Sequence, residues 1–333
     1  MENILNVNNL MVHFFTKEGV VKAVDDISFK VKQGETLGIA GESGSGKTVA
    51  ALSITKLISW PPGKIVGGEI FVEDKNILKI SNKEMREIRA NKVAMIFQDP
   101  MNCFNPVLSI GRQIIEAVII GKKVKKKFAK GMAINLLKEV GIPDPEVRIN
   151  QYPHEYSGGM LQRAMIAMAL ARTPKILIAD EPTTALDVTI QAQICDLINT
   201  LKKQYDSSII IITHNLGILA EMTENIIVMY AGKILEYGNT ETIFYNSYHP
   251  YTWGLLKSIP NLYKKKKKDL IPIKGNPPSL LNIPNGCRFS PRCNYAKDIC
   301  FREIPELKKV IGDHMSACHL SNSKIEKIKL IEA

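Results

Sequence analysis

Eight residues constrain this chain more than any other feature. Gly41-Glu42-Ser43-Gly44-Ser45-Gly46-Lys47-Thr48 follows a short apolar run at 36–40 and opens a helix-compatible stretch at 47–58. A strand, a glycine-rich turn and a helix in that order make a grip for phosphate. Glycines let successive backbone N–H groups turn inward around phosphate oxygens. The helix N-terminus adds its partial positive charge. In such a loop Lys47 reaches the β- and γ-phosphates, and the Thr48 hydroxyl can ligate Mg²⁺. Gly41, Ser43, Gly44, Ser45, Gly46, Lys47 and Thr48 are therefore the expected phosphate-binding set.

A loop of this kind needs an acidic strand beside it, and the chain has one. Ile176-Leu177-Ile178-Ala179-Asp180-Glu181 is an apolar strand ending in two carboxylates. Asp180 is placed to face the Mg²⁺ shell through water. Glu181, one residue further, can polarise an attacking water as general base. Strands at 175–180 and 208–213 alternate with helices at about 158–172 and 188–204, which predicts α/β architecture. Residues 4–31 read as short strands turning at Glu18-Gly19, and 67–72 as another. From about 101 to 165 the pattern is helical. Ile114, Ile115, Val118 and Ile119 share one face, and Leu136, Leu137 and Val140 share another. Beyond about 238 the composition changes. Pro272, Pro277, Pro278, Pro284 and Pro291 predict an irregular appended segment.

Tyr156-Ser157-Gly158-Gly159-Met160 lies shortly before the acidic strand. It resembles the L-S-G-G-Q signature of ABC ATPases, with Met160 in place of the usual Gln. Ser157 supplies a hydroxyl and a helix cap, and Gly158 and Gly159 expose amides at a helix start. Other elements fall in that family's order. Gln98 resembles the glutamine that touches Mg²⁺ and water. Ala185-Leu186-Asp187 resembles the D-loop, and His214 the switch histidine that contacts the γ-phosphate. Phe14 resembles the aromatic that stacks on adenine, with Phe15 as the second choice.

The resemblance covers about residues 4–240. It implies a P-loop NTPase cassette with a RecA-like core, an antiparallel β subdomain and an inserted helical subdomain at about 101–165. It also implies a paired enzyme, because the signature of one cassette closes over the nucleotide of another. One loop and one signature make half of each of two sites. The implied catalytic residues are Glu181, His214 and Gln98, acting on ATP with Mg²⁺ held by Thr48 and Gln98. Asp180, Asp187, Ser157, Gly158 and Gly159 complete the nucleotide contacts.

Residues 241–333 resemble the C-terminal extension of oligopeptide/dipeptide (and nickel) importer ATPases. His249-Pro250-Tyr251-Thr252, Pro277-Pro278-Ser279-Leu280 and Gly286-Cys287-Arg288-Phe289 carry that likeness. It implies peptide import, with nickel or another solute as the alternative cargo. It implies two transmembrane permease subunits, a second and related cassette, and an extracytoplasmic peptide-binding protein acting indirectly. Cys287, Cys293, Cys300 and Cys318 read C-x5-C-x6-C-x17-C. Structural zinc sites usually carry tighter pairs. Four looser thiolates suit an iron–sulfur cluster, and some members of the resembled subfamily hold [4Fe–4S] here. Zinc and free thiols stay open as readings.

The net charge is +11, and part of it is concentrated at 122–127 and 264–268, each with five lysines. Neither run is interleaved with aromatics as base stacking would require, so exposed solvated chain is expected rather than a nucleic-acid partner. No run approaches the ~20 apolar residues that cross a bilayer, and residues 1–4 lack the pattern of a signal peptide. The expectation is a peripheral protein on the cytoplasmic face of the cell membrane. An ABC ATPase of DNA repair or translation is the competing class. Members of that class carry a long coiled-coil insertion or two cassettes, and neither is present.

Overall fold

The computed structural model describes residues 2–184, 186–258 and 272–320. The chain builds two sheets. Strands β1 (Asn3–Thr16), β2 (Gly19–Lys32), β4 (Gly63–Val72) and β5 (Lys75–Asn76) form an antiparallel sheet in the order β2-β1-β4-β5. The larger sheet holds β3 (Thr36–Ala40), β6 (Val93–Ile96), β7 (Ile176–Asp180), β8 (Ser208–Ile212), β9 (Asn225–Tyr230), β10 (Lys233–Asn239), β11 (Lys308–Ile311) and β12 (His314–Ser316). Its order is β11-β12-β10-β9-β3-β8-β7-β6. From β9 to β6 the neighbours run parallel.

The parallel strands are buried on both faces, which explains their continuous apolar runs. In β8, Ile209 and Ile211 face the helical side, while Ile210 and Ile212 face the antiparallel sheet. In β7, Leu177 and Ala179 take the first side and Ile176 and Ile178 the second. The period-two alternation of side chains thus divides the core into two layers. The antiparallel sheet closes one layer, together with Ala50, Ala51 and Ile54 of the helix Lys47–Ile54.

Helices close the other layer. Between β6 and β7 the chain runs through Pro100–Cys103, Ile110–Lys122, Lys126–Glu139, Pro145–Arg148 and Gly158–Leu170. Ile114 and Val118 of the second and Leu136 and Leu137 of the third are buried together. Asp99, Ser109 and Ser157 cap three of these helices through their side-chain oxygens, and such caps stabilise a helix start by about 1 kcal/mol each. The lysines of 122–127 lie exposed around the turn between two of the helices. The second lysine run lies outside the described residues.

The C-terminal segment is not wholly irregular, contrary to its proline content. Strands β11 and β12 form a hairpin, and β12 pairs antiparallel with β10, so the extension lengthens the core sheet. Glu236 of β10 fastens it. This fully buried carboxylate accepts from the backbone N–H groups of Tyr248 and His249 and lies 2.7 Å from His314 Nε2. A buried charge is tolerable when several donors meet it.

Candidate nucleotide site

Strands β3, β6, β7 and β8 end on one edge of the parallel sheet, where loops of such sheets gather their functional residues. The loop after β3 turns on glycines that no other residue could replace. Gly41 has φ 149°, and a Cβ there would lie 2.2 Å from the Met229 carbonyl oxygen. Gly46 has φ 99°, and a Cβ would lie 2.3 Å from the Ala23 carbonyl oxygen. Lys47, only 5% exposed, folds under the loop. Its Nζ donates to the carbonyls of Gly41 at 2.8 Å and Glu42 at 2.9 Å, and to Ser45 Oγ at 3.3 Å. Burial lowers its pKa, and the carboxylates of Glu181, Asp180 and Glu42 oppose that.

Thr48 at the first turn of the helix donates from Oγ1 to Asp180 Oδ1 at 3.2 Å. Asp180 is buried at the end of β7, and burial above all pushes its carboxyl up to about 6, against the bond from Thr48. Glu181 follows in the left-handed region, φ 47°, tied to β8 by its N–H on the Ile212 carbonyl at 2.8 Å. Its carboxylate is met from three sides. Gln98 Nε2 donates to Oε2 at 3.2 Å, Thr184 Oγ1 donates to the same oxygen at 2.8 Å, and His214 Nδ1 lies 3.3 Å from Oε1. Gln98 and His214 come from the ends of two other strands, and the structure gathers them around the Glu181 carboxylate, one residue after Asp180. Thr184 escapes the sequence reading. Its only signal is its place three residues after Glu181, the spacing of a turn.

The signature residues stand elsewhere. Ser157 Oγ accepts from Met160 N at 3.3 Å and caps the helix Gly158–Leu170, with Ser157 and Gly158 exposed. Asp187 likewise caps the helix Val188–Tyr205 through Ile190 N at 2.9 Å. A Cβ on Gly159 would touch Ile190, so the two helix starts are neighbours. Ala185 lies outside the described residues. Among the described residues no hydrogen bond joins 157–159 to the chain's own phosphate loop, and Ser157 and Gly158 lie exposed.

The structure places the two candidate aromatics, Phe14 and Phe15, differently. Phe14 is half-buried and packs against the core layer beside Gly63 and Ile58. Phe15 is 43% exposed and meets Trp60 edge-to-face at 5.8 Å. The strand's pleat turns successive residues to opposite faces, and it turns Phe14 inward.

Two residues of the C-terminal segment also touch the phosphate loop, and no local pattern signals them. The backbone N–H of Glu42 donates to Tyr251 Oη at 2.9 Å, and Arg292 Nη1 donates to Glu42 Oε2 at 2.8 Å. The partners are 209 and 250 residues apart in the chain.

Cys287, Cys293, Cys300 and Cys318 line one cavity of about 20 Å³ with His249, Phe289 and Leu320, room for about one water. Their thiols are free. Burial pushes Cys287 up to about 11 and Cys293 and Cys318 up to about 12. The donor chemistry fits a thiolate-bound group. As the side chains stand, no group of three or more His, Cys, Asp or Glu among the described residues is set to hold a metal ion.

Comparison with known proteins agrees with this geometry. The family model for the ABC transporter matches residues 24–184, and that for the oligopeptide/dipeptide transporter C-terminal region matches residues 235–300. The chain is 49% identical over 330 residues to the oligopeptide transport ATP-binding protein OppD of Bacillus subtilis, covering 99% of this chain and 92% of that one. It is 47% identical over 316 residues to the dipeptide transport ATP-binding protein DppD of Escherichia coli, covering 95% and 96%. A dimeric ATP-binding cassette solved in a post-hydrolysis state with ADP and phosphate superposes with TM-score 0.64 at 26% identity, over 71% of this chain and 98% of that one. The chain belongs to the ABC transporter family and is an ABC-type ATPase. Within that family it is of the oligopeptide/dipeptide ATP-binding type, by its C-terminal region as well as by its cassette.

Proposed function

We propose that this ATPase drives peptide import through a membrane, as the motor subunit on the cytoplasmic face. The observation that carries the chemistry is the Glu181 carboxylate held by Gln98, Thr184 and His214 beside the Thr48–Asp180 pair. Lys47 and the loop amides bind the triphosphate, and the glycines keep those amides pointed inward. Thr48 and Gln98, with Asp180 through water, are the residues that would hold Mg²⁺, which supplies charge neutralisation on the phosphates. Glu181 accepts the proton of the attacking water, and Gln98 and His214 orient that carboxylate.

The peptide cargo rests on the names of the relatives and on the C-terminal region. Stacking of adenine falls to Phe15 rather than Phe14, because only Phe15 offers an exposed ring. The exposed Ser157 and Gly158 at a helix start support pairing with a second cassette, a related chain, and the pair works with two permease subunits. Among the described residues no helix is long and apolar enough to cross a membrane, so the permeases must supply the path. Delivery by an extracytoplasmic peptide-binding protein completes the importer reading. The domain division follows the same proposal, with the cassette in residues 1–240 and the extension in 241–333. A [4Fe–4S] cluster on the four cysteines is the finer proposal for the extension; it requires the thiols to spread and lose their protons. Iron, sulfide and zinc analysis of anaerobically purified protein decides it.

Purification of the chain from membranes tests the whole reading. Two multi-spanning proteins and a second cassette should accompany it, and peptide should stimulate ATP hydrolysis when the binding protein is added. Recovery in a nucleic-acid complex would overturn it.

A further inference from the structure

The phosphate loop of this chain carries a carboxylate at its second position. Glu42 lies close enough to Lys47 to influence its charge. A carboxylate at the mouth of a site built for a triphosphate opposes binding, since like charges repel strongly where water is partly excluded. The C-terminal extension answers this charge. Arg292 is 6% exposed, and besides Glu42 it donates to Tyr230 Oη at 3.1 Å and lies over that ring at 5.7 Å. Burial disfavours its positive charge, but the bonds to Glu42 and Tyr230 outweigh that and raise its pKa. Arg292 therefore stays cationic in place.

The same contact is fixed from a second side. Tyr251, fully buried, packs on Tyr230 at 4.7 Å and Phe289 at 5.3 Å, and its hydroxyl accepts the Glu42 N–H. That amide stands at the entry of the loop. Nearby, the buried Arg288 donates to the Ala231 carbonyl and pairs with Asp25, while Gly232 N donates to Ser45 O of the loop at 2.9 Å. The extension thus braces the loop directly and through the β9–β10 turn.

We propose that Arg292 and Tyr251 are positioning residues of the nucleotide site, supplied by the C-terminal extension. Arg292 cancels the Glu42 charge, and both residues hold the loop entry in the form that receives ATP. This inference rests on the ATPase reading and extends it to residues that the cassette itself does not contain.

The test uses the purified full-length chain, MgATP titrations and steady-state ATP hydrolysis, with thermal melts to check folding. One charged hydrogen bond is worth about tenfold in affinity, so Arg292→Ala should raise KM and Kd for MgATP about five- to twentyfold with kcat within about twofold. Arg292→Lys should recover much of the loss, since it returns the charge without the fork. The decisive variant is the double one. In Glu42→Gln no charge remains to cancel, so adding Arg292→Ala to it should leave KM within about threefold of Glu42→Gln alone. A brace needed only for folding would not be rescued in this way. Tyr251→Phe keeps the ring packing and loses only the hydroxyl. It serves even where Arg292→Ala does not fold, and should raise KM about three- to tenfold.

Unchanged KM in both Arg292→Ala and Tyr251→Phe overturns the proposal, as does a double variant as impaired as Arg292→Ala. Lys47→Ala separates the two levels. Loss of MgATP binding there, with silent extension variants, sinks only the role of the extension. Failure of the unaltered chain to bind MgATP sinks the underlying reading.

Discussion

In the proposed mechanism Glu181 is the residue on which the chemistry turns, and its surroundings suit a base. It sits at φ 47°, a conformation costing a non-glycine residue about 1–3 kcal/mol, and it is retained by its bond to β8 and by three side-chain partners. Those partners fix where the carboxylate points, which is what proton abstraction from water demands. Glu181→Gln keeps the shape and the partners but removes the basic oxygen. Hydrolysis should fall by at least about a hundredfold, while ATP still binds and its dimeric complex accumulates on size-exclusion chromatography. Activity near that of the unaltered chain would remove Glu181 as the base. Lys47 has a different task. It already makes three bonds within the loop, and its charge is the one aimed at the phosphates. Lys47→Ala should weaken MgATP binding by about tenfold or more, one charge-assisted bond being worth about 1.5–3 kcal/mol; calorimetric titration measures this, and unchanged affinity would place the nucleotide elsewhere.

At the scale of elements, helix starts and strand ends do the positioning. Ser157, Asp187 and Asn215 each cap a helix through a side-chain oxygen. His249 does the same with a ring nitrogen, its Nδ1 accepting from Tyr251 N at 3.0 Å at the head of the helix Pro250–Lys257. Burial drives its pKa from 6.5 to about 3, so the native imidazole stays neutral and free to accept. The unfolded chain takes up that proton near pH 6.5, and the folded chain does not until near pH 3. Through this window the unfolded state binds more protons, so stability is full above about 6.5 and falls with acidification by up to about 1.4 kcal/mol per pH unit. Melting temperatures at pH 7.5 and 5.5 should differ clearly less in His249→Asn, which can cap without titrating; an equal acid loss in both would refute the assignment. These elements were unequally legible in the sequence. The phosphate loop, the acidic end of β7 and the signature were readable because each is contiguous, with spacing set by one loop and one helix start. Phe14 and Phe15 were not separable, since a one-residue shift exchanges the two faces of a strand and both residues are the same. Strands β6, β9 and β10 carried no assignment. Arg292 and Tyr251 could not be read, because their partner Glu42 lies far away in the chain and only the folded extension brings them together.

Under the pairing proposed above, the whole molecule carries two halves of different sites. The loop, the Asp180–Glu181 strand end, Gln98 and His214 form a binding and cleaving half. Ser157 and Gly158 form an exposed cap with no hydrogen bond to it among the described residues. A cap that serves only its own helix has no need of two glycines after it, the first of them exposed. Backbone amides at a helix start attract anions, and in the proposed pair that anion is the nucleotide of a neighbouring cassette. Ser157→Arg separates the two halves experimentally. Loss of the cap should cost about 1 kcal/mol of stability, too little to unfold a chain of this size, and the chain's own loop is untouched. MgATP affinity of the isolated chain should therefore stay within about threefold. In the assembled pair the bulky cation should block closure over the partner's nucleotide and lower ATP turnover by about tenfold or more. The comparison is made between binding by the isolated chain and turnover by the pair. A parallel loss in both would mean that 157–159 act within their own subunit. Full turnover in the pair would mean that they are no part of any nucleotide site.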